Sequence, residues 1–198
     1  MERVKSFYQR EGFTDVTVDY EIKPDAKKAY LLYITISVVE GKKYLVGSVI
    51  LQGNKDITEK EILSRLNSCI PGKVFSQEAM KNDITGVQGL YFDRGYISAV
   101  VQESTIVNSA TSRVDITYAI TENQAAYVDK IKIRGNIKTK DVVIRRELRI
   151  HPGEKFDGEK LRRSKERLTN LGFFEEVSYD TEETKLADKK NLLVDVKE

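Results

Sequence analysis

The stretch Val46-Gly47-Ser48-Val49-Ile50-Leu51-Gln52-Gly53-Asn54 returns about eighty residues later as Val128-Asp129-Lys130-Ile131-Lys132-Ile133-Arg134-Gly135-Asn136. A short β-branched run closed by Gly-Asn reads as a strand and the turn that ends it. Two further landmarks keep the same spacing. Pro71-Gly72-Lys73-Val74-Phe75 is answered by Pro152-Gly153-Glu154-Lys155-Phe156. An apolar helix end running into Gly-aromatic occurs three times, at Phe7-Tyr8 to Gly12-Phe13, Tyr91-Phe92 to Gly95-Tyr96, and Leu168 to Gly172-Phe173. Such a period means a string of similar small domains, with function on the surfaces of the array. The landmarks divide the chain into 1–41, the second half of one repeat, and two whole repeats at 42–123 and 124–198.

The middle repeat can be read element by element. Leu45 to Gln52 is the first strand. Thr58 and Glu61 have the spacing of a capping box for a first helix carrying Ile62, Leu63 and Leu66, which Pro71-Gly72 is expected to stop. Ser76 caps a second helix whose apolar stripe is Met80, Ile84, Val87 and Tyr91. Two strands follow, expected at Tyr96 to Thr105 and Arg113 to Thr121, joined by a turn at Asn108-Ser109. The last repeat follows the same script: a strand at Tyr127 to Arg134, a helix at Asp141 to Leu148, an Asp157-capped helix with Leu161, Leu168 and Leu171 inward, and a hairpin of Glu176 to Thr181 with Leu192 to Lys197 around a solvated loop at Asp188-Lys189-Lys190-Asn191. Residues 1–41 hold a helix end and a hairpin, Thr14 to Ile22 with Tyr30 to Val39, turning at Lys23-Pro24-Asp25-Ala26. The order strand-helix-helix-strand-strand gives an α+β fold: a three-stranded mixed sheet covered on one face by two helices.

Composition narrows the function. With 33 Lys and Arg against 31 Asp and Glu, the chain as a whole has no nucleic-acid-binding charge excess. One His and one Cys cannot build a zinc site of the usual kind, and no Gly-rich phosphate loop is present. Cys69 reads as a packing residue and His151 as a solvated loop residue. No carboxylate pair is singled out by spacing, so the expectation is a non-enzyme without metal or cofactor.

The order of elements, with Gly-Asn after the first strand and Gly-aromatic after the second helix, resembles the polypeptide-transport-associated (POTRA) domain. In the last repeat, Val143-Ile144-Arg145-Arg146-Glu147-Leu148-Arg149, Pro152-Gly153, the run Lys165 to Val177 through Leu171-Gly172-Phe173-Phe174, and the closing Val194-Asp195-Val196-Lys197-Glu198 are similar to the repeat before the β-barrel in the BamA family of outer-membrane protein assembly factors. The resemblance covers nearly the whole chain. It implies a periplasmic segment of an outer-membrane protein, with a signal sequence, leading repeats and its own C-terminal β-barrel lying outside this stretch. The implied partners are unfolded outer-membrane proteins, bound by β-augmentation, and the accessory lipoproteins of the assembly complex.

The residues on which augmentation would rest are Val16, Val18 and Tyr20; Ile97, Ala99 and Val101; and Val177 and Tyr179. Since alternate side chains of a strand point inward, about half of them are expected to be core. The last repeat also has a basic part: Lys130 to Arg167 holds fourteen Lys or Arg against six Asp or Glu. Arg145, Arg146, Arg149, Arg162, Arg163 and Arg167 on its helices could meet acidic partners or anionic lipid head groups, or form a solvated face with local partners such as Glu147 and Glu166. Two other functions share this outline. A KH-like module would bind nucleic acid, but each inter-helix turn here has a single Gly and no Gly-x-x-Gly loop. Related secretion or import barrels also carry the repeat. The expectation is no nucleic-acid partner.

Overall fold

The computed structural model describes residues 1–25, 28 and 30–198. Helix α1 (Glu2–Arg10) and strands β1 (Thr17–Pro24) and β2 (Leu32–Val39) come first. The middle repeat holds β3 (Leu45–Gln52), α2 (Glu59–Leu63), α3 (Gln77–Asp93), β4 (Val100–Asn108) and β5 (Arg113–Thr121). The last repeat holds β6 (Tyr127–Arg134), α4 (Asp141–Glu147), α5 (Gly158–Asn170), β7 (Glu176–Glu183) and β8 (Lys189–Lys197). Strand order is β3-β5-β4 and β6-β8-β7, with β1 and β2 forming a separate pair. The first strand of each whole repeat runs parallel to the last, and β7 runs antiparallel to β8. The sheets are therefore mixed, as the sequence implies.

Two compact units result. The first comprises Met1–Gln52, Glu59–Val87 and Val101–Ala119; the second comprises Gly53–Thr58, Gln88–Val100 and Ile120–Glu198. In the first, Val114, Ile116 and Tyr118 alternate inward from β5 and are buried with Val46, Ile62, Leu66, Cys69, Met80 and Val87. In the second, Val128 and Ile131 of β6, Ile144 of α4, Leu161 and Leu168 of α5, Val177 of β7, and Leu192, Val194 and Val196 of β8 form one cluster with Ile150 and Phe156. Both long helices start where the sequence places their caps. The Ser76 hydroxyl accepts from the Ala79 N–H at 3.4 Å and the Asp157 carboxylate from the Lys160 N–H at 2.9 Å.

The Gly-Asn landmark has a steric cause. Gly53 and Gly135 have φ of +85° and +83°, and a Cβ at either would overlap the carbonyl oxygen of Ile120 or Val196 on the last strand. The first strand must leave the sheet across that carbonyl, so only Gly fits. The Asn side chain then closes the turn: Asn54 Nδ2 donates to the Ile57 carbonyl at 3.1 Å, and Asn136 Nδ2 to that of Thr139 at 2.9 Å. A glutamate just past each last strand completes the brace. Glu122 accepts from the N–H groups of Lys55 and Asp56, and Glu198 from those of Lys138 and Thr139.

Several expected boundaries move. The first helix of the middle repeat ends at Leu63, well before Pro71. Its stop is the buried Asp83, whose carboxylate takes the N–H groups of Asn67, Ser68 and Cys69, which a longer helix would have used internally. Ser164 does the same for the Arg149 N–H in the last repeat, at 2.8 Å. Strand β4 begins at Val100, because Tyr96 to Ala99 form a turn in which the Ala99 N–H bonds the Tyr96 carbonyl at 3.0 Å. The expected loop Asp188–Asn191 is mostly strand: Lys189 pairs with Tyr127 and Lys190 with both Val128 and Glu183. Lys189 to Asn191 are needed to reach the far end of both neighbours. Strands β1 and β2 start later than expected, at Thr17 and Leu32, and Ala26 of the expected turn lies outside the described residues.

Two glycines separate steric need from conformational need. Gly153 also has positive φ, at +89°, but open space around its Cβ position. Gly153→Ala is expected to cost roughly 1–2 kcal/mol for the left-handed backbone alone, and Gly135→Ala a further 1–3 kcal/mol or so for the overlap with the Val196 carbonyl. Urea denaturation midpoints of the two variants check this order.

Candidate functional site: strand edges and the basic face of the last repeat

A free strand edge presents unpaired N–H and C=O groups to any extended chain. The Pro-Gly landmark removes part of that surface. Behind Pro71, the Gly72 N–H bonds the Val46 carbonyl at 2.9 Å, the Val46 N–H the Lys73 carbonyl at 2.8 Å, and the Phe75 N–H the Tyr44 carbonyl at 3.0 Å. Behind Pro152, Gly153, Glu154 and Phe156 make the same bonds with Val128 and Ala126, at 2.7–2.9 Å. Each landmark thus plugs the start of the first strand's outer edge. With the last strand central, the outer edges of β4 and β7 carry no paired strand among the described residues.

These two edges differ. Across β4, every residue from Gln102 to Asn108 is exposed, although the β5 side chains of the same sheet alternate into the core. Ile106 and Val107 are apolar and open to solvent. Glu103 is the only acid on this strand. Strand β7 instead carries Glu176, Asp180, Glu182 and Glu183. Two of these are bound within the sheet, Glu182 by Lys132 and by Asn191 Nδ2, and Glu183 by Lys190 at 2.6 Å. The Lys132 bond, with help from Asn191, holds the Glu182 carboxyl below the usual glutamate range.

The expected edge residues fall into three groups. Val101 and Val177 are strand residues buried in the core, and Tyr179 is half-buried. Ile97 and Ala99 precede β4 instead of lying on it, and Ile97 packs against the last repeat's core. Val16 is buried just ahead of β1, whereas Val18 is half-buried and Tyr20 exposed on it. The β1–β2 pair also exposes Ile22, Leu32, Tyr33, Ile34 and Ile36.

Most of the basic helix residues have carboxylate partners. Glu147 accepts Arg167 through Nε and Nη2 at 2.8 and 2.6 Å and Arg146 at 3.1 Å. Arg145 reaches both Asp141 and the Ile131 carbonyl. Arg163 pairs with Glu159 one turn earlier. Arg162 grips Asp93 with two bonds of 2.8 and 3.1 Å. Arg149, expected on a helix, lies past the end of α4, where Ser164 takes its N–H, and it has no ion pair among the described residues.

The Arg162–Asp93 pair belongs to a joint within the second unit that the sequence reading missed. The Ala126 N–H donates to the Gly95 carbonyl at 2.9 Å. The Lys155 ammonium lies 4.5 Å from the centre of the Tyr96 ring. Phe92 packs on the last repeat's core, close enough that a Cβ on Gly158 would lie 2.7 Å from its ring. The first unit holds a homologous joint, where the Tyr44 N–H donates to the Gly12 carbonyl at 2.9 Å and Arg10 faces Glu78 at 3.8 Å. The recurring Gly-aromatic step was the available signal.

Burial pushes the Cys69 thiol up to about 11, far from a reactive thiolate. Among the described residues no three His, Cys, Asp or Glu side chains are grouped to hold a metal ion, and no helix is long and apolar enough to cross a membrane.

Comparison with known proteins agrees with this geometry. The POTRA family profile, described as surface antigen variable number repeat, matches residues 44–123 and 126–198. Outer membrane protein assembly factor BamA of Neisseria meningitidis serogroup B is 34% identical over 181 residues, 91% of this chain and 23% of that protein. The factor of the same name from Nitratidesulfovibrio vulgaris is 29% identical over 198 residues, 98% of this chain and 25% of that protein. The chain therefore spans about a quarter of the length of these relatives. The crystal structure of Haemophilus influenzae BamA POTRA3-5 has the same fold, with a TM-score of 0.80 at 22% identity, covering 100% of this chain and 78% of that one. Haemophilus ducreyi BamA lacking POTRA domains 1-3 aligns with a TM-score of 0.66 at 26% identity, covering 78% of this chain and 29% of that one.

The Glu147 cluster makes a pH prediction. The Arg167 bond, against a smaller opposing effect of desolvation, holds its carboxyl below the ordinary value of 4.5. A carboxylate with a depressed folded-state pKa contributes stability that is complete above the unfolded value and lost as pH falls through the folded value. Arg167→Met is therefore expected to raise the Glu147 midpoint toward 4.5 in an NMR titration and to weaken the loss of stability below about pH 4.5.

Proposed function

The chain belongs to the POTRA repeat family, and we propose that it is a periplasmic segment of an outer-membrane β-barrel assembly factor, a receptor for unfolded outer-membrane proteins. The observation that carries this reading is the open outer edge of β4, exposed on both faces from Gln102 to Asn108. A client strand added there would bond main chain to main chain, with Ile106 and Val107 offering apolar contact on either face. Main-chain bonds are indifferent to client sequence, which suits a receptor for many proteins. The affinity of one edge is low, and several edges along an array compensate by avidity. The acidic β7 edge serves as a second, more selective site, and β1 as a third.

The last repeat is the docking surface for the accessory lipoproteins and the neighbour of the protein's own barrel. Its charge supports this reading, as does its similarity to the BamA relatives. The same charge suits anionic lipid head groups. A nucleic-acid function is the weaker reading, because neither inter-helix turn has a Gly-x-x-Gly loop and the five arginines of α4 and α5 all face carboxylates.

An NMR titration with a ten-residue peptide from an outer-membrane β-strand tests the receptor. Amide shifts are expected along Val100–Asn108, with smaller ones along Glu176–Glu183. A peptide N-methylated at alternate residues, on the edge that faces β4, should lose binding while keeping every side chain. Equal binding by the methylated peptide, or shifts confined to α4 and α5 with single-stranded RNA that fade with salt, would overturn the proposal.

A further inference from the structure

The two whole repeats differ most sharply in one short segment, the end of the first strand, the Gly-Asn turn and the first helix. In the middle repeat, residues 48–64 carry Lys55 and Lys60 against Asp56, Glu59 and Glu61. The same segment of the last repeat, residues 130–146, carries seven cations, Lys130, Lys132, Arg134, Lys138, Lys140, Arg145 and Arg146, against the single acid Asp141. The fold of the segment is shared, down to the Asn side-chain bond and the glutamate brace. Folding therefore does not explain the charge.

The apolar residues change with the charge. Aligned on Gly-Asn, the positions of Lys55 and Lys60 are taken by Ile137 and Val142. Ile137 is 91% exposed and Val142 66% exposed. Nothing in the repeat requires either side chain to be apolar, since the equivalent lysines serve the same turn. The turn is also held in place from below. Glu198 accepts from the Lys138 and Thr139 N–H groups at 2.7 Å each, so Ile137 projects from a braced loop.

Three of the seven cations are engaged, Lys132 with Glu182, Arg145 with Asp141 and Arg146 with Glu147. Lys130, Arg134, Lys138 and Lys140 have no ion pair among the described residues. Two exposed aliphatic tips among unpaired cations match a surface that is anionic outside and apolar beneath. We infer that the turn from Asn136 to Val142 is a membrane-surface contact, with Ile137 and Val142 entering the head-group layer of an anionic bilayer and Arg134, Lys138 and Lys140 meeting its charge. The inference rests on the proposed function, which sets the last repeat beside a membrane-embedded barrel.

The chain contains no tryptophan, so Ile137→Trp makes a single reporter at a solvent-exposed position. Its emission is expected to shift to the blue with vesicles of 30% phosphatidylglycerol in phosphatidylcholine, and to stay put with phosphatidylcholine alone. The shift should weaken in 0.5 M NaCl. Lys138→Gln and Lys140→Gln, added singly to the reporter, should each lower vesicle partitioning by roughly fivefold. Lys55→Trp, the equivalent reporter in the middle repeat, should not shift. No shift at Ile137→Trp, an equal shift at Lys55→Trp, or an equal shift with soluble polyglutamate, which has charge but no apolar interior, would overturn the inference. The peptide titration on the same protein separates the two failures, since peptide binding at β4 without a lipid response would sink this contact alone.

Discussion

Each whole repeat depends on its last strand lying between the other two. Strands β5 and β8 each pair with a strand on both sides, parallel to the first strand and neighbours of the second. The rest of the construction follows. The chain leaving the first strand must pass the central place to reach the second strand on the far edge, so no tight hairpin serves, and two helices make this crossover and cover the inner face. To start that crossover, the backbone must pass over the end of the central strand, which leaves room only for Gly53 and Gly135. The turn's N–H groups then face the tail of the same strand, where Glu122 and Glu198 receive them. The second strand is left at an outer edge of the sheet.

The same order explains why the Pro-Gly landmark recurs. A three-stranded sheet has two edges, and two open edges would favour sheet-to-sheet association. The segments behind Pro71 and Pro152 close the start of one edge with three backbone bonds each. Proline suits the approach, since it has no N–H to leave unsatisfied. Among the described residues, the outer edge of the second strand in each whole repeat carries no paired strand along its length.

Much of this was legible in the sequence. Both first strands, both long helices and their caps at Ser76 and Asp157 stand where pattern and capping chemistry put them. The failures share a cause, which is that a local pattern does not show the tertiary partners a segment will meet. Ile97 and Ala99 alternate like strand residues, yet Ile97 belongs to the neighbouring repeat's core and sits in a turn. Leu63 and Leu66 continue a helical stripe, yet the amides beyond them are taken by Asp83, sixteen residues downstream in the case of Asn67. Lys189 to Asn191 read as a polar loop, although ladder partners on both sides draw them into β8. The candidate edges were legible as elements and not as side chains, because augmentation is a property of backbone exposure that topology decides.

Charge is what distinguishes repeats built on one plan. At the joints, the first unit pairs Arg10 with Glu78, while the second pairs Asp93 with Arg162, reversing the order of signs along the chain. The reversal lies on the Gly-aromatic side alone, since the facing helices carry the same signs at matching positions, Glu78 with Lys81 and Glu159 with Arg162. At the edges, Glu103 stands alone on β4, whereas four acids line β7. The backbone offered by the two strands is equivalent, but the field around it is not. The acids along β7 give its edge a negative field, whereas β4 carries a single charge. Side chains that make no part of the ladder thus give two equivalent backbones different electrostatic surroundings.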